Sequence, residues 1–212
     1  MDKATYDRIE GYMLAMSDAY AHDSLHVYRV LNQALKIAEN YAEVDRDILV
    51  AACLLHDIGR EAQFKDPSLC HAEVGAVLAY DFLRELGWNE RDCLHVKNCI
   101  RAHRFRNDSV PDTLEAKILF DSDKLDVTGA LGIARSFIYM GQMGVPLYSV
   151  DENKAVFDGT GETEPDSFFK EYHIKLKKLY DGFYTEEAKR IAEKRRKFIK
   201  DFYDELLDEV SF

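Results

Sequence analysis

The chain has 212 residues, 47% of them apolar and 32% charged, which suits a soluble globular protein that can bury a substantial core. Its net charge of -11 excludes attachment to nucleic acid polymers or acidic membranes by bulk electrostatics. Any anionic ligand must be met by local positive charge or by metal.

The opening stretch "MDKATYDRIEGYM" carries no apolar signal core. The four cysteines, Cys53, Cys70, Cys93 and Cys99, form no CxxC pair and read as reduced thiols. A cytoplasmic location is the expectation. The longest apolar run, Ile48 to Leu55, is too short to span a bilayer.

The pattern is helical nearly throughout. Val27, Val30, Leu31, Ala34, Leu35 and Ala38 follow the i, i+3, i+4 spacing of an amphipathic helix. Asp47 can cap a following helix that is apolar all round, hence central, and that runs to Gly59. Asp66-Pro67-Ser68 marks a turn. A helix then spans His71 to Leu86, and another begins at Asn89 and reaches about Arg104. Pro111 and Asp112 introduce a long helix from Thr113 that carries "EAKILFDSDKLDVTGALGIARSFIYMG". Residues 144–166 hold two prolines, Gly159, Gly161 and several acids, and read as a loop or lid. Two amphipathic helices close the chain, the last starting near Thr185. No strand shows convincing alternation. The expectation is a single all-α domain over residues 1–212, with C-terminal helices packed on the core and their aromatics (Phe168, Phe169, Tyr172, Tyr180, Phe183, Tyr184) in the interior or at a homodimer face.

Chemistry concentrates in a few places. His22 and His26 lie four apart, on one face if that segment is helical. His56 and Asp57 are adjacent where the central apolar run ends. Asp121, Asp123 and Asp126 fall inside an apolar helical run, where a carboxylate is costly unless paired or metal-bound. A solvated stripe accounts for two of these acids better than for all three. Lys97, Arg101, Arg104 and Arg106 cluster around His103 in a chain that is otherwise acidic.

In the order His, His-Asp, Asp these residues resemble the signature of the HD-domain metal-dependent phosphohydrolases. "HVYRV" matches the first histidine, "LLHDIGR" the doublet and "DSDKLD" the final aspartate. "HAEVGA", "IRAHRF" and the tail extend the resemblance, across most of the chain, to a compact bacterial subgroup. The resemblance implies an all-α HD-domain helical bundle with a metal held by His26, His56, Asp57 and Asp123. Two imidazoles and two carboxylates suit manganese, iron, nickel, cobalt or zinc, and magnesium less well. Four protein ligands leave positions for water and substrate on a six-coordinate ion, which acidifies the water and polarises a phosphoryl oxygen. His71 and His103 then either bind a second ion or meet the substrate phosphate. Lys124 neutralises charge on the transferred group, Arg104 binds phosphate, and Asp57 orients the attacking water. Asp23 and Asp126 are candidates to orient a ligand and Lys124 respectively, and Glu61 reads as a surface acid paired with Arg60 or Lys65.

The implied substrate is a nucleotide or another small phosphate or pyrophosphate ester. There is no "GYP" stretch after His103, the doublet continues Ile-Gly-Arg rather than Glu-Asp, and no nucleotidyltransferase domain is expected ahead of the HD core. These departures set aside the cyclic-dinucleotide and alarmone branches. The alternatives are an HD-type diiron oxygenase, which uses His, His-Asp, His, His, Asp in the same order, and a non-catalytic ligand-sensing scaffold.

Overall fold

A computed structural model describes residues 1–17, 24–104 and 109–211. The described residues are helical and contain no strand, only one isolated antiparallel bridge between Val150 and Val156. The all-α expectation holds. His22, Asp23 and Arg106 lie outside the described residues. Among the described residues no helix is long and apolar enough to cross a membrane. The chain divides into two compact units, Met1–Asp123 and Lys124–Phe212.

The first unit contains α1 (Lys3–Ser17), α2 (Ser24–Ala38), α3 (Arg46–Leu55), α4 (Arg60–Lys65), α5 (His71–Glu85), α6 (Glu90–Ala102) and most of α7 (Leu114–Leu125). The apolar run makes α3 central, packed against α1, α2, α5 and α6. Ile48, Leu49 and all of Ala51 to Leu55 are buried. Truncating one of these leucines to alanine would cost about 3–4 kcal/mol. Asp45, not Asp47, caps α3, accepting from the backbone N–H groups of Asp47 and Ile48. The helix stops at Leu55 rather than Gly59. Its last turn opens at His56 and Asp57, and Gly59 begins the short α4.

Gly59 is required there. A Cβ on it would lie 2.2 Å from the His71 carbonyl oxygen and 2.6 Å from the Gly75 nitrogen. The bare backbone lets the start of α5 lie directly on the turn after α3, which brings His71 beside Asp57.

The second unit contains α8 (Gly129–Met143), α9 (Phe168–Ile174), a 3-10 turn (Leu176–Lys178) and α10 (Glu186–Val210). The long helix expected from Thr113 is two helices. It breaks at residues 126–128, where Gly129 takes a left-handed φ of 63° and the Arg195 guanidinium bonds the Leu125 carbonyl at 2.6 Å and Thr128 Oγ1 at 3.1 Å. A cation on α10 thereby supplies a donor to the orphan carbonyl end of α7. Thr185 caps α10 as expected. The helix expected after Ser167 is interrupted, α9 giving way to the 3-10 turn. Phe168, Phe169, Tyr172, Tyr180 and Phe183 are buried, with Phe168 stacked obliquely on Phe137 at 4.8 Å between centroids. The segment 144–166 is tied to this core: Tyr203 donates to the Asp158 carbonyl at 2.6 Å, and a Cβ on Gly159 would sit 2.2 Å from the Phe169 backbone.

Candidate metal centre

His26 projects from the first turns of α2, His56 and Asp57 from the end of α3, His71 from the start of α5, His103 from the end of α6, and Asp123 from α7. These helices bring six side chains, distant in sequence, to one place in the first unit. Their donor atoms fall into two groups. His26, His56 and Asp123 form one, and Asp57, His71 and His103 the other, the atoms within each lying within 4.8 Å of one another.

The imidazoles are oriented from behind. His56 Nδ1 lies 2.7 Å from the Cys53 carbonyl and His103 Nδ1 lies 2.6 Å from the Ile100 carbonyl. A carbonyl only accepts, so each Nδ1 carries the proton, and a ring that is neutral presents its lone pair at Nε2. Gln63 does the same for His71. Its amide nitrogen donates to the Leu69 carbonyl at 2.9 Å, which leaves Oε1, 2.8 Å away, to accept from His71 Nδ1.

The Nε2 atoms then face one another, 3.3 Å apart for His26 and His56 and 3.2 Å for His71 and His103. Two imidazoles on one metal at about 2.0–2.1 Å are separated by about 2.9–3.4 Å. Opposed lone pairs at this distance repel unless a cation or a proton lies between them. Donor chemistry and spacing both fit a divalent ion, and arranging the rings by hydrogen bonds from the far side is how metal-binding histidines are held.

Asp57 stands between the groups. Its Oδ2 is 3.6 Å from the Nε2 atoms of both His26 and His56, and its Oδ1 is 3.6 Å from His71 and 3.7 Å from His103. Asp123 Oδ1 lies 3.2 Å from His26 and 3.9 Å from His56. The sequence grouped Asp57 with His26, His56 and Asp123. The structure adds that its second oxygen belongs to the other histidine pair.

The charges are shaped by burial. Burial pushes His56 down to about 4 and, with help from the Arg60 cation, His71 to about 3, so both rings are neutral near pH 7. Burial would raise Asp57, but His56, His103 and Arg60 hold it well below the usual carboxylate range. Burial likewise opposes ionisation of Asp123, which His26 and the other imidazoles bring to about 2. His103 moves the other way. Burial lowers it, but the nearby Asp57 and Asp123 carboxylates outweigh that and leave it raised.

Sequence reasoning missed two residues. Arg60 Nε donates to Asp57 Oδ1 at 2.8 Å, and Gln63 holds His71. Glu61 pairs with Lys65, while Arg60 turns to the aspartate three residues earlier. The cationic patch disperses. Lys97 lies over the Tyr80 ring at 5.1 Å and Arg101 pairs with Glu73 at 2.9 Å. Arg104 alone among the described members of the patch acts on the cluster, lowering His71, and its guanidinium donates to Cys70 Sγ at 3.3 Å. Lys124 belongs to the second unit, where its ammonium donates to the Asp181 carbonyl and lies 4.9 Å over Phe183. Asp126 pairs with Arg135 at 3.3 Å.

Residues 24–128 match the HD domain family. The protein YpgQ of Bacillus subtilis is 30% identical over 91% of this chain and 86% of its own length. Among solved structures, an HD-superfamily hydrolase from Bacillus thuringiensis is 28% identical, covers 98% of this chain and 97% of its own, and superposes with a TM-score of 0.76. Bacillus subtilis YpgQ, solved in complex with ADP, is 27% identical with a TM-score of 0.72 over 97% of this chain and 95% of its own.

Proposed function

Because the chain belongs to the HD-domain family, we propose that it is a metal-dependent phosphohydrolase acting on a nucleotide or a similar small phosphate or pyrophosphate ester. The observation that carries this reading is the pair of Nε2 atoms of His26 and His56, set 3.3 Å apart beside the carboxylates of Asp57 and Asp123. These four residues hold the ion. A divalent metal there supplies an acidified water and a Lewis acid for a phosphoryl oxygen.

The chain's own residues do the rest. Asp57, ionised and fixed by Arg60, offers an oxygen that accepts a hydrogen bond from the attacking water and orients it. Arg104 is half-buried, and its guanidinium donates to the Cys70 sulfur, a weak acceptor that a phosphate oxygen would displace. His71 and His103 face the same space and are the candidates for contact with a phosphate or for a second ion. The ADP complex of YpgQ supports a nucleotide as the class of substrate.

A diiron oxygenase is the second reading, favoured by one observation: the two groups share the Asp57 carboxylate. Purified protein supplied with manganese and a panel of nucleoside mono-, di- and triphosphates separates the two. The hydrolase reading expects release of phosphate or pyrophosphate without oxygen uptake. Oxygen consumption with iron, and no turnover of any phosphate compound, would overturn it.

A further inference from the structure

The Asp57 carboxylate has two faces and three claimants. Oδ2 turns to His26 and His56. Oδ1 turns to His71 and His103 and is already bonded by Arg60 at 2.8 Å. An ion held by Oδ1, His71 and His103 would sit about 2.1 Å from that oxygen, and so within about 5 Å of the Arg60 nitrogen. Two cations that close, in a site with Asp57 only 11% exposed, repel strongly. Arg60 itself is half-exposed and opens α4, so its side chain has room to leave.

We propose that Arg60 sets the metal stoichiometry of this centre: its guanidinium serves as the second cation of Asp57, keeping the resting protein at one tight ion and leaving His71 and His103 for the substrate. The proposal rests on the reading that His26, His56, Asp57 and Asp123 hold the first ion. The same observation decides between the two uses of the second histidine pair. With Arg60 in place, Oδ1 already has a positive partner, and what fits beside two guanidiniums, Arg60 and Arg104, is a phosphate, whose hydrogen bond to His71 or His103 needs a proton on that ring's Nε2.

The test is manganese binding, read without turnover. Chelator-treated wild type, Arg60→Met and Arg60→Lys are titrated with manganese in a calorimeter, and the bound metal is counted by elemental analysis after gel filtration. The proposal expects one tight ion in wild type and a second that binds at least about tenfold more weakly. In Arg60→Met the second ion should tighten about tenfold while the first stays within about threefold. Arg60→Lys keeps the charge and should stay near wild type. A second ion that binds Arg60→Met no tighter than wild type, or more weakly, overturns the proposal. So does a wild type that takes two ions with equal affinity. If wild type takes no ion, the reading beneath the proposal fails instead. Circular dichroism confirms that each variant is folded, and Arg60→Gln serves in place of Arg60→Met if the latter is not.

Discussion

His56 Nδ1 and the Cys53 carbonyl lie 2.7 Å apart, one helical turn from each other, and that bond decides which nitrogen of the ring is free. The end of α3 therefore delivers a lone pair, not an N–H, to the centre of the first unit. Replacing His56 with glutamine should abolish tight metal binding. Retention of metal by His56→Gln, measured by elemental analysis, would contradict the assignment.

The same burial predicts a pH dependence for the metal-free protein. His56 titrates at about 4 in the folded chain and at about 6.5 when unfolded, so between those values the unfolded chain binds the proton and the folded one does not. Stability therefore falls as pH drops from about 6.5 towards 4, by about 3 kcal/mol for His56 alone, and His71, at about 3, acts in the same direction. His103 is raised and works in the opposite sense, adding stability at low pH that is lost as pH rises through its folded value. Thermal melts of chelated protein at pH 7 and pH 4.5 should show the lower midpoint at pH 4.5. A higher midpoint in acid would mean that these rings are charged in the folded state.

Gly59→Ala tests the placement of His71. The added methyl meets the His71 carbonyl at 2.2 Å, backbone against backbone, with no flexible atom to yield. The expected loss is at least about 2 kcal/mol in urea unfolding. A variant as stable as wild type would show that α5 does not need this close approach.

Arg104→Ala should raise KM for a nucleotide about tenfold while leaving metal content unchanged, because its guanidinium is offered to phosphate and not to the ion. An unchanged KM removes it from the substrate site.

Lys124→Met separates two roles. The ammonium contacts Asp181 and Phe183, so a stability loss of about 1 kcal/mol is expected. A fall in kcat beyond that explained by unfolding, with KM unchanged, would assign it the phosphoryl-neutralising role implied by its place after Asp123.

The helices were legible where the apolar period was clean, as in α2 and the buried α3. Their breaks were not. Gly129 reads as one more residue of a helical run until Arg195, far along the chain, supplies donors to Leu125 and Thr128. The histidines and aspartates of the centre were legible through their resemblance to a known pattern. Arg60 was not, because an arginine next to Glu61 reads as half of a surface pair. The dispersal of Lys97 and Arg101 follows from partners on α5, Tyr80 and Glu73, which no local spacing reveals.

The most direct measurement is the metal content of purified wild type beside Asp57→Ala, each then assayed for phosphate and pyrophosphate release from nucleotides. The account predicts about one tightly held divalent ion per wild-type chain. It also predicts loss of that ion in Asp57→Ala and loss of turnover with it. A wild type that binds no divalent metal, or an Asp57→Ala variant that keeps both metal and activity, would contradict it.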